Sequence, residues 1–213
     1  MTKIKICGLS TPESVTTAIE NGASHIGLVF YPKSPRNVTI ETAAYLANFV
    51  PDTVTTVGLF VNPSNDLLHQ VLNTVKLDMI QLHGDESSAR VEEIKETFKL
   101  PLMKALPVAL KDDLNLCDTY TPYVDYFLFD AKPDPSLSEL PGGNGLAFDW
   151  TILEGFKPPK PYFLAGGLTS DNVATAINKL APYGVDVSSG IESSAGVKDS
   201  RKIASFLKAS KSA

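Results

Sequence analysis

The feature that most limits what this chain can fold into is an alternation. A short apolar run, a turn and a helix-patterned segment recur until eight such runs have been laid down, at residues 3–7, 25–30, 54–61, 79–82, 102–106, 126–129, 162–165 and 185–187. Most of the runs are apolar without a polar alternate face, as strands are when a parallel sheet is covered on both sides. The intervening segments carry helix signals. Thr11-Pro12 supplies an N-cap and a proline at the first helical position, Val15, Ala18 and Ile19 share one face, and Gly22 stops the turn. Leu67, Leu68, Val71, Leu72 and Val75 repeat the pattern, as do Val91, Ile94 and Phe98, then Val173, Ala176, Ile177 and Leu180, and finally Ile203, Phe206 and Leu207. The pattern is weak over 110–117, and 149–153 offers only a short helix after a long connection rich in Pro and Gly.

Eight strand–helix units favour closure into a compact, single-domain α/β fold, an eight-stranded parallel (β/α)8 TIM barrel, over an open doubly wound sheet. The open sheet would be expected to carry Gly-x-Gly-x-x-Gly after its first strand, and the sequence has none there. At 213 residues and 43% hydrophobic content, residues 1–213 are read as one domain with little room for another. A net charge of −5 supplies no basic stripe, so nucleic acid is not an expected partner. No apolar run reaches membrane-spanning length, and Met1 leads into the first strand without a signal-peptide pattern. Cys7 and Cys117 make no disulfide framework, which fits a reducing, cytoplasmic setting.

In such a barrel the C-terminal strand ends carry function. Here they present Cys7, the loop of Arg36, Asn62, His83, Lys104, Asp130, Gly166-Gly167 and the run Asp186, Ser188, Ser189, Gly190. Gly166, Gly167, Ser188, Ser189 and Gly190, following strands seven and eight, form the expected backbone cradle for a phosphate. No metal-ligand spacing and no nucleotide fingerprint occurs, so no metal and no cofactor is expected. What remains is acid–base work on a small phosphorylated molecule.

Each candidate also has a plainer explanation. Cys7 alone reads as a small core residue, Asp130 as a turn or capping carboxylate, Arg36 as a surface charge, and Asp186 as a cap on the turn after strand eight. Gln81 and His83 share a strand face and are given a secondary substrate-binding role. Asp125 and Asp134 read as structural or solvated, Cys117 as packing, and His25 and His69 as lying away from the site. Residues 131–147, with the glycine run Gly142 to Gly145, are expected to be a mobile cover.

The motifs Lys5-Ile6-Cys7-Gly8-Leu9, Ser34-Pro35-Arg36, Gln81-Leu82-His83-Gly84, Gly142-Gly143-Asn144-Gly145 with Phe148-Asp149-Trp150, Leu164-Ala165-Gly166-Gly167-Leu168 and Gly184-Val185-Asp186-Val187-Ser188-Ser189-Gly190-Ile191-Glu192 span the whole chain. In this order they resemble the phosphoribosylanthranilate isomerases of tryptophan biosynthesis, with Asn144 departing from the Thr that many members carry. The resemblance implies an Amadori rearrangement of N-(5-phosphoribosyl)anthranilate. Asp130 is then the acid, Cys7 the base, Arg36 the partner of the anthranilate carboxylate, and Asp186 a contact for the ribosyl hydroxyls. A thiol acting as base needs its thiolate favoured, and Lys5, two residues earlier on the same strand face, is expected to favour it.

Three other readings compete. A histidine-pathway aminoaldose isomerase would carry an acidic residue where Cys7 stands and a second glycine cradle after strands three and four. A phosphosugar epimerase would show metal ligands. A catalytically silent barrel would bind a phosphorylated ligand without turnover. The expected assembly is a monomer or a homodimer.

Overall fold

The computed structural model describes residues 1–132, 142 and 149–213. Strands β1 (Lys3–Cys7), β2 (His25–Phe30), β3 (Thr55–Phe60), β4 (Met79–Leu82), β5 (Leu102–Val108), β6 (Tyr126–Ala131), β7 (Tyr162–Leu164) and β8 (Gly184–Val187) pair in parallel in chain order. β8 returns to β1, with Lys5 opposite Asp186, and closes the barrel. Around it run helices α1 (Pro12–Glu20), α2 (Ile40–Ala47), α3 (Asn65–Thr74), α4 (Ser88–Phe98), α5 (Leu116–Tyr120), α6 (Val173–Leu180) and α7 (Ser200–Lys211). Five of them begin where a side-chain oxygen accepts a free first-turn N–H: Thr11 from Ser14, Thr39 from Thr42, Ser64 from Leu67, Ser87 from Arg90, and Asp199 from Arg201 and Lys202.

Alternation along each strand sorts side chains into two layers. Outward residues such as Ile6, Leu28, Phe60 and Ile80 join Val15, Leu68 and other helix residues in one cluster. Inward residues Val57, Met79, Met103, Leu128 and Phe163 plug the barrel interior. Further toward the C-terminal mouth the inward positions turn polar. Lys5 is wholly buried and donates to Asp186 Oδ1 at 2.9 Å, and Gln81 is wholly buried as well. Cys7, His83 and Asp130 come last on the same face.

The largest departures from the sequence reading lie where local signals were weakest. β5 runs on to Val108 and β6 to Ala131, because Pro107 and Val108 pair with Asp130 and Ala131, so Asp130 belongs to a strand rather than a turn. The weak 110–117 stretch is a 3-10 turn, Lys111–Asn115, leading into the five residues of α5. The short helix after the long connection is a 3-10 turn, Trp150–Leu153. Beyond β8, a turn at Ser189–Ile191 leads into a small antiparallel hairpin of β9 (Glu192–Ser194) and β10 (Val197–Lys198), which the sequence pattern did not suggest.

His25 opens β2 at the far end of the barrel, edge-on to Phe163, with Nδ1 2.8 Å from Ser24 Oγ. Burial, helped by the charges of Lys5 and Lys3, lowers its pKa from 6.5 to about 4. The folded state therefore binds fewer protons than the unfolded chain between those values, and stability falls as pH drops through that window. The expected loss is roughly 3 kcal/mol on going from pH 7 to pH 4. Urea unfolding of His25→Gln should lack this component, and an acid loss equal to that of the wild type would assign it to other groups.

Candidate active site

A cleft opens at the C-terminal mouth, ≈ 800 Å³ when counted out to solvent. It is lined by Cys7, Arg36, His83, Asp130, Gly166, Gly167, Asp186, Ser188 and Ser189, so most residues singled out from sequence converge there. Gln81, Gly190 and Lys104 are not among its lining residues.

Cys7 ends β1 facing Gly27 of β2. A Cβ at residue 27 would stand 2.8 Å from Cys7 Sγ and 3.2 Å from Lys5 Nζ, so the glycine provides the room both groups occupy. Lys5 donates to Asp186, and its charge also acts on Cys7. Burial raises the Cys7 pKa above 9.0, and Asp186 pushes the same way while Lys5 and Lys198 oppose them. Lys5 favours the thiolate, as expected, but it is not the largest influence on Cys7. Its charge is shared with Asp186, and burial outweighs it, so the net shift of Cys7 is upward. Asp186 does not cap the turn after β8; it lines the cleft paired with Lys5.

Across the mouth, Asp130 Oδ1 accepts from Ala131 N–H at 2.9 Å, and Oδ2 lies 3.3 Å from His83 Nε2. His83 Nδ1 is 3.0 Å from Gln81 Nε2. With the Gln81 amide donating, Nδ1 is the acceptor and Nε2 carries the proton, which lies near Asp130 Oδ2 without forming a hydrogen bond to it. Gln81 thus sits behind His83, wholly buried and outside the cleft lining. Gly142 lies against this pair, since a Cβ there would collide with His83 Nε2 and stand 2.6 Å from Asp130 Oδ2. The rest of the cover expected at 131–147 beyond Ala131 and Lys132, including Asp134, Gly143, Asn144 and Gly145, lies outside the described residues, as does Phe148.

Arg36 follows β2 on the proline-stiffened loop. Gly8, at φ 75°, passes beneath it, where a Cβ would stand 2.9 Å from Arg36 Cδ. The guanidinium donates from Nε to Glu192 Oε1 at 2.7 Å and from Nη2 to Glu192 Oε2 at 2.9 Å, a bidentate fork. Burial would raise the Glu192 pKa, but Arg36 and Lys198 together hold it below the usual carboxylate value. Beside Arg36 runs an apolar wall in which Tyr31 and Val61 pack against Cys7, Val29 and Leu59.

At the other side, Gly166 and Gly167 take φ of 81° and 65°, and a Cβ at Gly166 would stand 2.7 Å from Ala131 N. Ser188 Oγ donates to Cys7 O at 3.3 Å, tying this loop to β1. Gly190 is placed differently from the expectation. A Cβ there would run into Leu168 O, so this glycine lets the loops after β7 and β8 meet instead of lining the cleft. Lys104 is likewise not a cleft cation. Its register partners Leu82 and Phe127 belong to the outer layer, and it is buried against Glu86 at 2.9 Å and Gly84 O at 2.6 Å.

Asp125, Cys117 and His69 follow their plainer readings. Asp125 accepts from Lys95 and from Leu102 N–H, Cys117 is buried with its pKa pushed up to about 12, and His69 packs on Phe98. Sequence reasoning missed Glu192, Lys198 and the apolar wall. Tyr31, Leu59 and Val61 look like ordinary strand-end core, and the ion-pair partners lie in a hairpin too short to leave a period.

A sequence profile described as N-(5'phosphoribosyl)anthranilate (PRA) isomerase matches residues 4–209. N-(5'-phosphoribosyl)anthranilate isomerase of Paracoccus denitrificans is 53% identical over 204 residues, covering 96% of this chain and 94% of that protein. The protein of the same name from Paramagnetospirillum magneticum is 50% identical over 209 residues, covering 98% and 97%. The crystal structure of phosphoribosyl anthranilate isomerase from Thermotoga maritima superposes with a TM-score of 0.89 at 34% identity over 100% of both chains. A phosphoribosyl anthranilate isomerase in complex with reduced 1-(o-carboxyphenylamino)-1-deoxyribulose 5-phosphate does so at 0.86 and 32%, again over 100% of both. By profile, sequence and fold together, the chain belongs to the phosphoribosylanthranilate isomerase family.

Proposed function

We propose that Cys7 and Asp130 are the base and the acid of the isomerisation, with Arg36 holding the anthranilate carboxylate and Gly166, Gly167, Ser188 and Ser189 holding the phosphate. The chain is an isomerase of tryptophan biosynthesis, converting N-(5-phosphoribosyl)anthranilate to 1-(2-carboxyphenylamino)-1-deoxyribulose 5-phosphate. The observation that supports the assignment is that a thiol from β1 and a carboxyl from β6 face one cleft between a guanidinium and a glycine-turned loop. Asp130 protonates the ribose ring oxygen as the anilino nitrogen lone pair opens the ring to an iminium. Cys7 then removes the proton from C2, giving an enolamine. Protonation at C1 and loss of the hydroxyl proton complete the ketone, so no electron is gained or lost overall. His83 keeps Asp130 oriented, and Asp186 reaches the ribosyl hydroxyls. A monomeric or homodimeric state and a cytoplasmic location belong to the same proposal. No helix among the described residues is long and apolar enough to cross a membrane.

Loss of fluorescence of enzymatically generated phosphoribosylanthranilate, followed with a metal chelator present, tests the reading: turnover is expected, and binding without turnover would favour a silent barrel. The pH profile gives a sharper check. A thiol raised above its ordinary value ionises only in the alkaline range, so kcat/KM should climb toward alkaline pH with unit slope. Cys7→Ser should flatten that limb. A wild-type plateau already reached at neutral pH would count against Cys7 as the titrating base.

A further inference from the structure

We infer that Lys198 and Glu192 act as a brace that positions Arg36 and the Ser188 loop as a single unit, so that the two ends of the substrate are held at a fixed separation. Neither residue lines the cleft, and both are carried on or next to the β9–β10 hairpin. The Lys198 side chain is only 2% exposed, and its ammonium has three acceptors: Glu192 Oε1 at 2.7 Å, Ser188 O at 2.9 Å and Ser188 Oγ at 3.1 Å. Three donors meeting three acceptors leave that charge one stable orientation. Glu192 is held as firmly. Besides Lys198 and the two bonds from Arg36, its Oε2 accepts from Gly196 N–H at 3.2 Å, and Lys202 Nζ donates to its main-chain oxygen at 2.6 Å.

The hairpin turn completes the arrangement. Gly196, at φ 80°, lies so close to the Arg36 loop that a Cβ would collide with Pro35 O. Lys198 therefore touches the phosphate side directly through Ser188 and the aromatic side indirectly through Glu192 and Arg36. Glu192 touches the aromatic side directly through Arg36 and reaches the phosphate side only through Lys198. This asymmetry predicts different consequences for the two residues, which a general loss of stability would not produce.

The inference rests on the assignment of Arg36 to the anthranilate carboxylate and of the Ser188 loop to the phosphate. Its test compares Glu192→Gln, Lys198→Met and Arg36→Lys for kcat, KM and the competitive inhibition constant of inorganic phosphate, with folding checked by circular dichroism. Glu192→Gln should raise KM about tenfold, as expected for a lost charge-assisted contact, with kcat little changed and phosphate inhibition unmoved. Lys198→Met should raise both KM and the phosphate inhibition constant, and Lys198→Arg should recover part of each. If Lys198→Met does not fold, Lys198→Gln carries the same comparison. Wild-type KM in the Glu192 and Lys198 variants, beside a raised KM in Arg36→Lys, would overturn the brace and leave the Arg36 assignment standing. An unchanged KM in Arg36→Lys would instead remove that assignment. A Lys198 variant that raised KM without weakening phosphate inhibition would overturn the coupling between the two ends.

Discussion

Replacing Asp130 by Asn, or Cys7 by Ser, is expected to lower kcat by about 10²–10⁴-fold, the range that one positioned acid or base contributes. Asn is nearly isosteric with Asp. It keeps an oxygen for Ala131 N–H and a neighbour for His83, while removing the proton that ring opening needs. Cys7→Ser keeps a small polar side chain facing Gly27, but a hydroxyl is a far weaker base-forming group than a thiol. Neither change opens a cavity or strands a buried charge, so both variants should unfold near the wild-type midpoint. Steady-state rates and urea unfolding measured on the same preparations separate the chemistry from the fold. Near-wild-type kcat in both variants would remove the acid–base assignment.

The second large effect concerns stability. Lys5→Met removes the charge that, among the described residues, is hydrogen-bonded to Asp186 in the barrel interior, where Lys5 is 0% and Asp186 8% exposed by side chain. Breaking a buried ion pair from one side leaves the other charge uncompensated, at a cost of about 3–5 kcal/mol. For a domain of this size that is a large share of the total. The double change Lys5→Met with Asp186→Leu should recover much of the loss, because an apolar pair of similar volume replaces two desolvated charges. It should not recover activity, since Asp186 faces the cleft. Because the Lys5 charge lowers the Cys7 pKa, the single variant should also titrate its Cys7 thiol at higher pH than the wild type. An unmoved unfolding midpoint and an unmoved thiol titration would show that the pair supports neither the fold nor the base.

Much of this was legible in the chain. The eight apolar runs located the strands, and counting them placed Cys7, Arg36, Asp130, Gly166, Gly167 and Ser188 at one mouth before any pairing was known. What stayed hidden depended on register and on partners distant in sequence. Lys5 and Lys104 both read as strand cations, yet inward and outward facing are settled only by pairing, which turns Lys5 toward Asp186 and Lys104 toward Glu86. Gln81 and His83 share a face, but only packing places one behind the other. Glu192 was visible as part of a motif without a role, because its partner Arg36 lies 156 residues away. The Cys7 pKa could not be read from its neighbour Lys5, because burial, Asp186 and Lys198 enter the same sum.

The most direct test of the central claim is a single-turnover measurement of substrate fluorescence decay with hydrogen or deuterium at C2 of the ribosyl group. A primary isotope effect is expected in the wild type, and decay slowed by about 10²–10⁴-fold in Cys7→Ser with substrate still bound. Decay in Cys7→Ser at the wild-type rate would contradict that claim.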